Sequence, residues 1–401
     1  MPGFSPFCGV RYNAEGGFVD DVIAPPYDVI SPSDREALVA RSDHNAVRLE
    51  LPTDEGGRDR YDVAGRLWRQ WLDERILVAD DEPSFYGYRL GFKDETGRPR
   101  QTTGVLGALH LEAPGQGILP HEHTTAKDKA DRFDLLRSVR ANLSPIWVLS
   151  PTAGLSGLVD ADADGRPPDT RATDDHGVHH RVWRITSPAV VEGIRQALEV
   201  NAVLVADGHH RYEIGLAYQA EVGAGTGGAG QDRILAFAVE LADDQLCVRA
   251  IHRVLRSLPA GFDLLGAVEP FFEVFETPAL DETILARMED AGALGLVLPS
   301  GTWLLRPRPS TVEAASHALD SSRLDVALAT LPGHDVSFQH GADLAADFVR
   351  AGDADAAVLL RPATVAQIAT ISHGGRRMPP KTTFFYPKPA TGLVFRSLDL
   401  D

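Results

Sequence analysis

The sequence predicts a mixed α/β (α+β) protein built as a larger first domain and a smaller second one. Three observations point there. Short apolar runs that end in turn residues, such as Val203-Leu204-Val205-Ala206, alternate with segments whose apolar residues recur at helical spacing. The chain has 401 residues, enough for two domains. Beyond Pro259 short strand and helix patterns follow one another closely, as in a compact α/β unit. The expected division is 1–259, 260–370 and a tail, 371–401, rich in Lys, Pro and aromatic residues.

Composition narrows the function classes. Hydrophobic residues make up 43% and charged residues 24%, as in ordinary soluble domains. A formal net charge of -18 argues against wrapping nucleic acid or lying on an anionic membrane. The two cysteines, Cys8 and Cys247, exclude a disulfide framework or a cysteine-rich zinc site. Met1-Pro2-Gly3-Phe4 has neither the basic nor the apolar part of a signal peptide. No apolar run reaches the roughly 18 residues of a membrane span. The expected setting is cytoplasmic and the expected partner a small molecule; oligomeric state is not legible.

Taken in order, residues 22–32 carry three prolines and read as a rigid extended segment presenting Tyr27 and Asp28, either toward a site or as a loop on the core. Ser33 and Asp34 start a helix. Val47, Leu49 and Leu51 alternate and predict a half-buried strand with Arg48 and Glu50 on the solvated face, His44 and Asn45 just before it within reach of a site. An amphipathic helix spans 58–76. Strands near 84–92 and 98–111 flank the turn Asp94-Glu95-Thr96-Gly97. The stretch Leu119 to Arg132 contains His121-Glu122-His123 and the cations Lys127 and Arg132. Two histidines two apart share a face on a strand but not on a helix. The cluster therefore reads as a metal site, as a charged surface loop, or as a catalytic loop supplying a carboxylate and cations. Residues 142–149 predict a buried strand, 150–178 a variable surface loop, and 234–250 a hairpin across Asp243-Asp244. In the tail, Lys381, Thr382, Thr383 and Lys388 either close a phosphate site or belong to strands that dock the C-terminus.

The chain is organised around Leu204-Val205-Ala206-Asp207-Gly208-His209-His210-Arg211-Tyr212-Glu213. A buried strand turns at Gly208 into a helix, and a helix start attracts anions through its unpaired N–H groups. Arg211 can add a two-pronged contact to phosphate. Asp207 can hold a metal ion or a proton, and His209 and His210 can act as donors, acid/base groups or ligands. The bland alternative makes Asp207 an N-cap.

These stretches, with Ala24-Pro25-Pro26-Tyr27-Asp28-Val29-Ile30-Ser31, His252-Arg253 and Lys381-Thr382-Thr383-Phe384-Phe385-Tyr386-Pro387-Lys388, resemble the DUF1015 family over nearly the whole chain. The Asp207-Gly208-His209-His210-Arg211 core is also similar to free serine kinases of the ParB/sulfiredoxin superfamily. That resemblance implies a ParB/sulfiredoxin-like core with insertions and transfer of a phosphoryl group to free L-serine from ATP, ADP or pyrophosphate. It implies Mg2+ on Asp207, phosphate handling by His209, His210 and Arg211, and a distant glutamate base, for which Glu122 is the candidate. The expected ligand contacts are then Gly208, Arg211, His123, Lys127, Arg132, His44, Asn45 and Lys381. A ParB-like nucleotide- or DNA-binding regulator and a metal-dependent hydrolase stand as the alternatives.

Overall fold

The computed structural model describes residues 2–95, 97–120, 127–223, 230–278, 280, 281, 283–373, 378, 379 and 381–400. They form a mixed α/β structure that divides into two units, Met1–Cys247 with Pro387–Asp401, and Val248–Tyr386. The division falls earlier than 259/260 because Ile251–Arg256 is a strand paired with Asp335–His340 and Ala356–Leu359, inside the second sheet.

The first unit is built on a nine-stranded sheet. Its order is Ile118–Pro120, Val203–Asp207, Ile146–Ser150, Arg233–Glu240, Pro99–His110, Phe85–Lys93, His179–Ile185 and Thr170–Thr173, with Phe4–Ser5 also on Pro99–His110. Two pairings are parallel, Val203–Asp207 with Ile118–Pro120 and Arg233–Glu240 with Ile146–Ser150. The central strands read as continuous apolar runs because both faces are covered. Val203, Val205, Ile146, Val148, Ala236 and Ala238 pack with Leu155, Val159, Ile194 and Leu198 in one core. The last four come from the helices Leu155–Ala163 and Pro188–Glu199.

A smaller sheet in the same unit joins Leu77–Ala79, Gly9–Tyr12, Phe395–Ser397 and Ala141–Asn142. The C-terminus is therefore docked as a strand. Arg396, wholly buried, donates to Asn142 Oδ1 at 3.1 Å, the Arg233 carbonyl at 2.8 Å and the Gly230 carbonyl at 2.8 Å.

Three local expectations are corrected. Residues Val47–Glu50 form a helical turn, not a strand. The Asn45 side-chain oxygen accepts from Val47 N at 3.0 Å, a local turn just ahead of the helical residues that does not suit extended chain. The segment 150–178 holds the helix Leu155–Ala163 and the edge strand Thr170–Thr173; Leu155, Val159 and Ala163 are spaced by one helical turn and buried. Residues 234–250 are not a hairpin, since Arg233–Glu240 pairs with Pro99–His110 and Ile146–Ser150, and Cys247–Arg249 with Phe384–Tyr386.

The second unit carries an antiparallel six-stranded sheet in the order Phe272–Thr277, Gly301–Pro307, Leu294–Leu298, Ala356–Leu359, Ile251–Arg256 and Asp335–His340. Successive residues of a strand face opposite ways. Accordingly Ala356 and Val358 join one apolar cluster, and Ala357 and Leu359 a second.

Candidate active site

The strand Val203–Asp207 is buried up to Ala206 and ends in a local irregularity, with the pairing to Ile146–Ser150 shifting between Val205 and Asp207. Such bulges re-aim a side chain at the end of a strand. Gly208 follows with φ 88, a left-handed conformation that costs other residues dearly. A Cβ there would lie 3.0 Å from Ile146 Cγ2 and 3.1 Å from the Arg211 guanidinium carbon. The helix His209–Val222 begins at once. Its N-cap is Gly208 with no side-chain cap, so the reading of Asp207 as an N-cap does not hold.

The Asp207 carboxylate is held by two cations instead. Arg211 donates to Oδ2 at 2.7 Å, and Lys388 Nζ lies 2.9 Å from Oδ1. Lys388 also donates to Asp28 Oδ2, so its ammonium bridges two carboxylates. Burial by itself pushes the Asp207 carboxyl up, but Lys388 and Arg211 outweigh it and hold it well below the usual range. Burial pulls Lys388 down, and Asp207 and Asp28 more than restore it. Arg211 also donates to the Pro145 carbonyl, which fixes the guanidinium against the neighbouring strand.

Beside this cluster is a small cavity of about 60 Å3 lined by Tyr27, Glu50, Arg132, Ser144 and Arg211 among others. Glu50, expected on a solvated face, is 3% exposed. Its Oε1 accepts from Ser144 Oγ at 3.1 Å, while the buried Oε2 and the buried Nε of Arg211 have no hydrogen-bond partner among the described residues. Burial raises the Glu50 carboxyl above its ordinary value, opposed by Arg132 and Arg211. Arg132 donates to the Glu50 carbonyl at 2.5 Å and to Asp131 at 2.7 Å, and lies over the Tyr27 ring at 4.7 Å.

Of the residues predicted from the sequence, Asp207, Gly208, Arg211 and Arg132 thus occur around one cluster and its adjoining cavity, with His209 buried and His210 half-buried on the first turn of the helix. Asn45 is wholly buried and spent on the backbone: its amide donates to the Asp21 and Ile23 carbonyls, each at 2.9 Å, and its oxygen accepts from Val47 N. It holds the loop in place. The His44 ring packs edge-on against Trp71 at 5.6 Å, and its carbonyl accepts from Tyr12, which marks it as packing. Lys381 belongs to the second unit, exposed and at φ 57. Glu122 and His123 lie outside the described residues, as does the Lys127 side chain; the strand Ile118–Pro120 before them runs parallel to the motif strand. Lys388 was legible as a phosphate-closing tail lysine, whereas Glu50 was hidden by the strand reading of 47–51.

The expected Mg2+ does not fit this arrangement. Both Asp207 oxygens are engaged, and the cation between Asp207 and Asp28 is the Lys388 ammonium. Among the described residues no group of three or more His, Cys, Asp or Glu is placed to hold a metal ion.

A family model described as "Protein of unknown function (DUF1015)" matches residues 4–327. No curated protein matches the sequence. Among solved structures the chain is similar to a conserved hypothetical protein from Pyrococcus furiosus, at 14% identity and TM-score 0.37, covering 74% of this chain and 97% of that one. It is similar to a free serine kinase in complex with AMP, at 14% identity and TM-score 0.37, covering 74% and 93%. SbnI with C-terminal truncation from Staphylococcus aureus follows at 12% identity and TM-score 0.39, covering 71% and 85%. Superpositions this loose carry no argument about chemistry.

Proposed function

We propose that this chain, which belongs to the DUF1015 family, is a phosphotransferase acting on a small hydroxyl compound, with free L-serine as acceptor and ATP, ADP or pyrophosphate as donor. The observation that carries the reading is the cluster at the end of Val203–Asp207: an aspartate clamped by Arg211 and Lys388 beside a buried carboxylate with one oxygen that has no partner among the described residues. Phosphoryl transfer needs positioning, neutralisation of phosphate charge, and a base for the attacking hydroxyl. Arg211 supplies the forked cation and Lys388 the point charge. The first N–H groups of His209–Val222 add an anion-binding helix start, with His209 and His210 on its first turn. Arg211 and Lys388, held in position by Asp207, balance the negative charge of the donor's phosphates.

For the base, burial favours Glu50, and Glu122 remains the candidate that the resemblance suggests. A carboxylate with a raised pKa is suited to take a proton near neutral pH, and among the described residues Oε2 has no competing partner. Phosphorus NMR of the full chain with serine, magnesium and each donor in turn tests the reading. Appearance of O-phosphoserine is the expected result. A set of spectra with no new phosphoester, for every donor, overturns it.

A further inference from the structure

At the opposite edge of the large sheet from the motif strand lie Phe85–Lys93, His179–Ile185 and Thr170–Thr173. Their register sets Arg181 directly opposite Arg89 on one side and directly opposite Arg171 on the other. Directly opposite residues of antiparallel strands share a face, about 5 Å apart. Three arginines therefore stand abreast on one face of three neighbouring strands, and like charges in that relation repel. Lys93, four residues along from Arg89, extends the same face.

The row is only partly compensated. Arg89 pairs with Asp160. Arg171 lies 3.6 Å over the ring of Phe18 and forms no ion pair among the described residues, and Arg181, exposed, forms none either. Among the described residues, the buried Nε atoms of Arg89 and Arg171 have no hydrogen-bond partner. A buried donor left unpaired costs about 1–3 kcal/mol, and more when charged. The carboxylate oxygen Oδ1 of nearby Asp20 is engaged by the Thr173 backbone N–H.

The space in front of the row is large enough for a ligand. A cavity of about 940 Å3 is lined by all three arginines. A second, of about 620 Å3, shares Arg89, Gln101, His179 and Arg181 with it and adds Lys93. We propose that this row is a binding site for a short chain of linked phosphate groups, separate from the Asp207 cluster. The register spaces the three arginines evenly along the backbone, and a guanidinium fork can give a phosphate two parallel N–H to O contacts. Such a ligand removes the mutual repulsion of the arginines. The site does not depend on the phosphotransferase reading.

The test is calorimetric titration of the full chain with tripolyphosphate at low salt, with parallel titrations of ATP and of a single-stranded oligonucleotide. The parent is compared with Arg171→Gln/Arg181→Gln, with Arg181→Gln alone, and with Arg211→Lys. Arg181 is exposed, so the single variant keeps the fold even if the double one does not. The expected result is a tripolyphosphate site that weakens at least 10-fold in Arg181→Gln and persists in Arg211→Lys. ATP binding lost in the same variant assigns a nucleotide's phosphates as the source; binding of tripolyphosphate alone assigns the free chain. Tripolyphosphate binding as tight in Arg181→Gln as in the parent overturns the proposal. So does binding lost only in Arg211→Lys, or binding confined to the oligonucleotide.

Discussion

Replacing Asp207 by Asn removes a charge and almost no volume, and its cost follows from the partners. Asn keeps an oxygen that can accept from Arg211 but no longer balances Lys388, which lies 2.9 Å from Oδ1 with a side chain 10% exposed. Losing one partner of a buried pair costs about 3–5 kcal/mol. Lys388 retains Asp28 and Arg211 retains the Pro145 carbonyl, so the loss falls at the lower end, about 3 kcal/mol. Asp207→Asn/Lys388→Met removes the unbalanced ammonium too, so the double variant should lose less than the two singles added together, with a coupling of about 2 kcal/mol. Urea unfolding of the four proteins measures it. The pH dependence supplies a second reading. The Asp207 carboxyl is depressed in the folded state, so its contribution is full above the unfolded aspartate value, about 3.9, and is lost as pH falls through the folded value. The acid limb of the parent's stability should therefore be steeper than that of Asp207→Asn. Additive single losses and superimposable acid limbs would refute the electrostatic account. Phosphotransfer, assayed where every variant is folded, should collapse in Asp207→Asn.

Three further outcomes are expected. Glu50→Gln should keep or raise stability, because it removes a buried carboxylate while preserving the contact with Ser144, yet lower turnover by about 10²–10⁴ if Glu50 is the base; unchanged kcat assigns the base elsewhere, Glu122 first. Arg211→Lys keeps the charge but not the fork, and should raise KM for the donor more than for serine in steady-state kinetics; equal effects on both would remove Arg211 from donor binding. In the second unit, burial, with His340 and Arg253, pushes His252 down to about 4, so the unfolded chain takes up a proton first and stability falls as pH drops from about 6.5 toward 4. The shift corresponds to about 3 kcal/mol, and His252→Gln should flatten that part of a stability–pH curve; an unchanged slope would show that another group is responsible.

The sequence by itself determined the mixed α/β class and the strand–Gly–helix turn at Asp207 to Arg211. A buried run of Val and Leu, one glycine and a helical spacing are local signals that no other part of the chain needs to complete. It also brought Arg132 and Lys388 into view as cations in phosphate-like contexts. Only the tertiary structure decided what these groups face. Lys388 reaches Asp207 and Asp28 from positions far apart in the chain because the C-terminal strand Phe395–Ser397 is paired between Gly9–Tyr12 and Ala141–Asn142. Glu50 turned from a solvated strand residue into a buried carboxylate because the helical turn Val47–Glu50 is buried on more than one side, so the alternation of Val47, Leu49 and Leu51 marked no solvated face. Asn45 and His44 looked polar enough for a ligand, but their hydrogen-bond partner and packing surface come from other segments. The arginine row was beyond sequence reasoning for the same reason. Arg89, Arg171 and Arg181 become neighbours only through strand register, which is set by distant hydrophobic pairing rather than by the local pattern around each one.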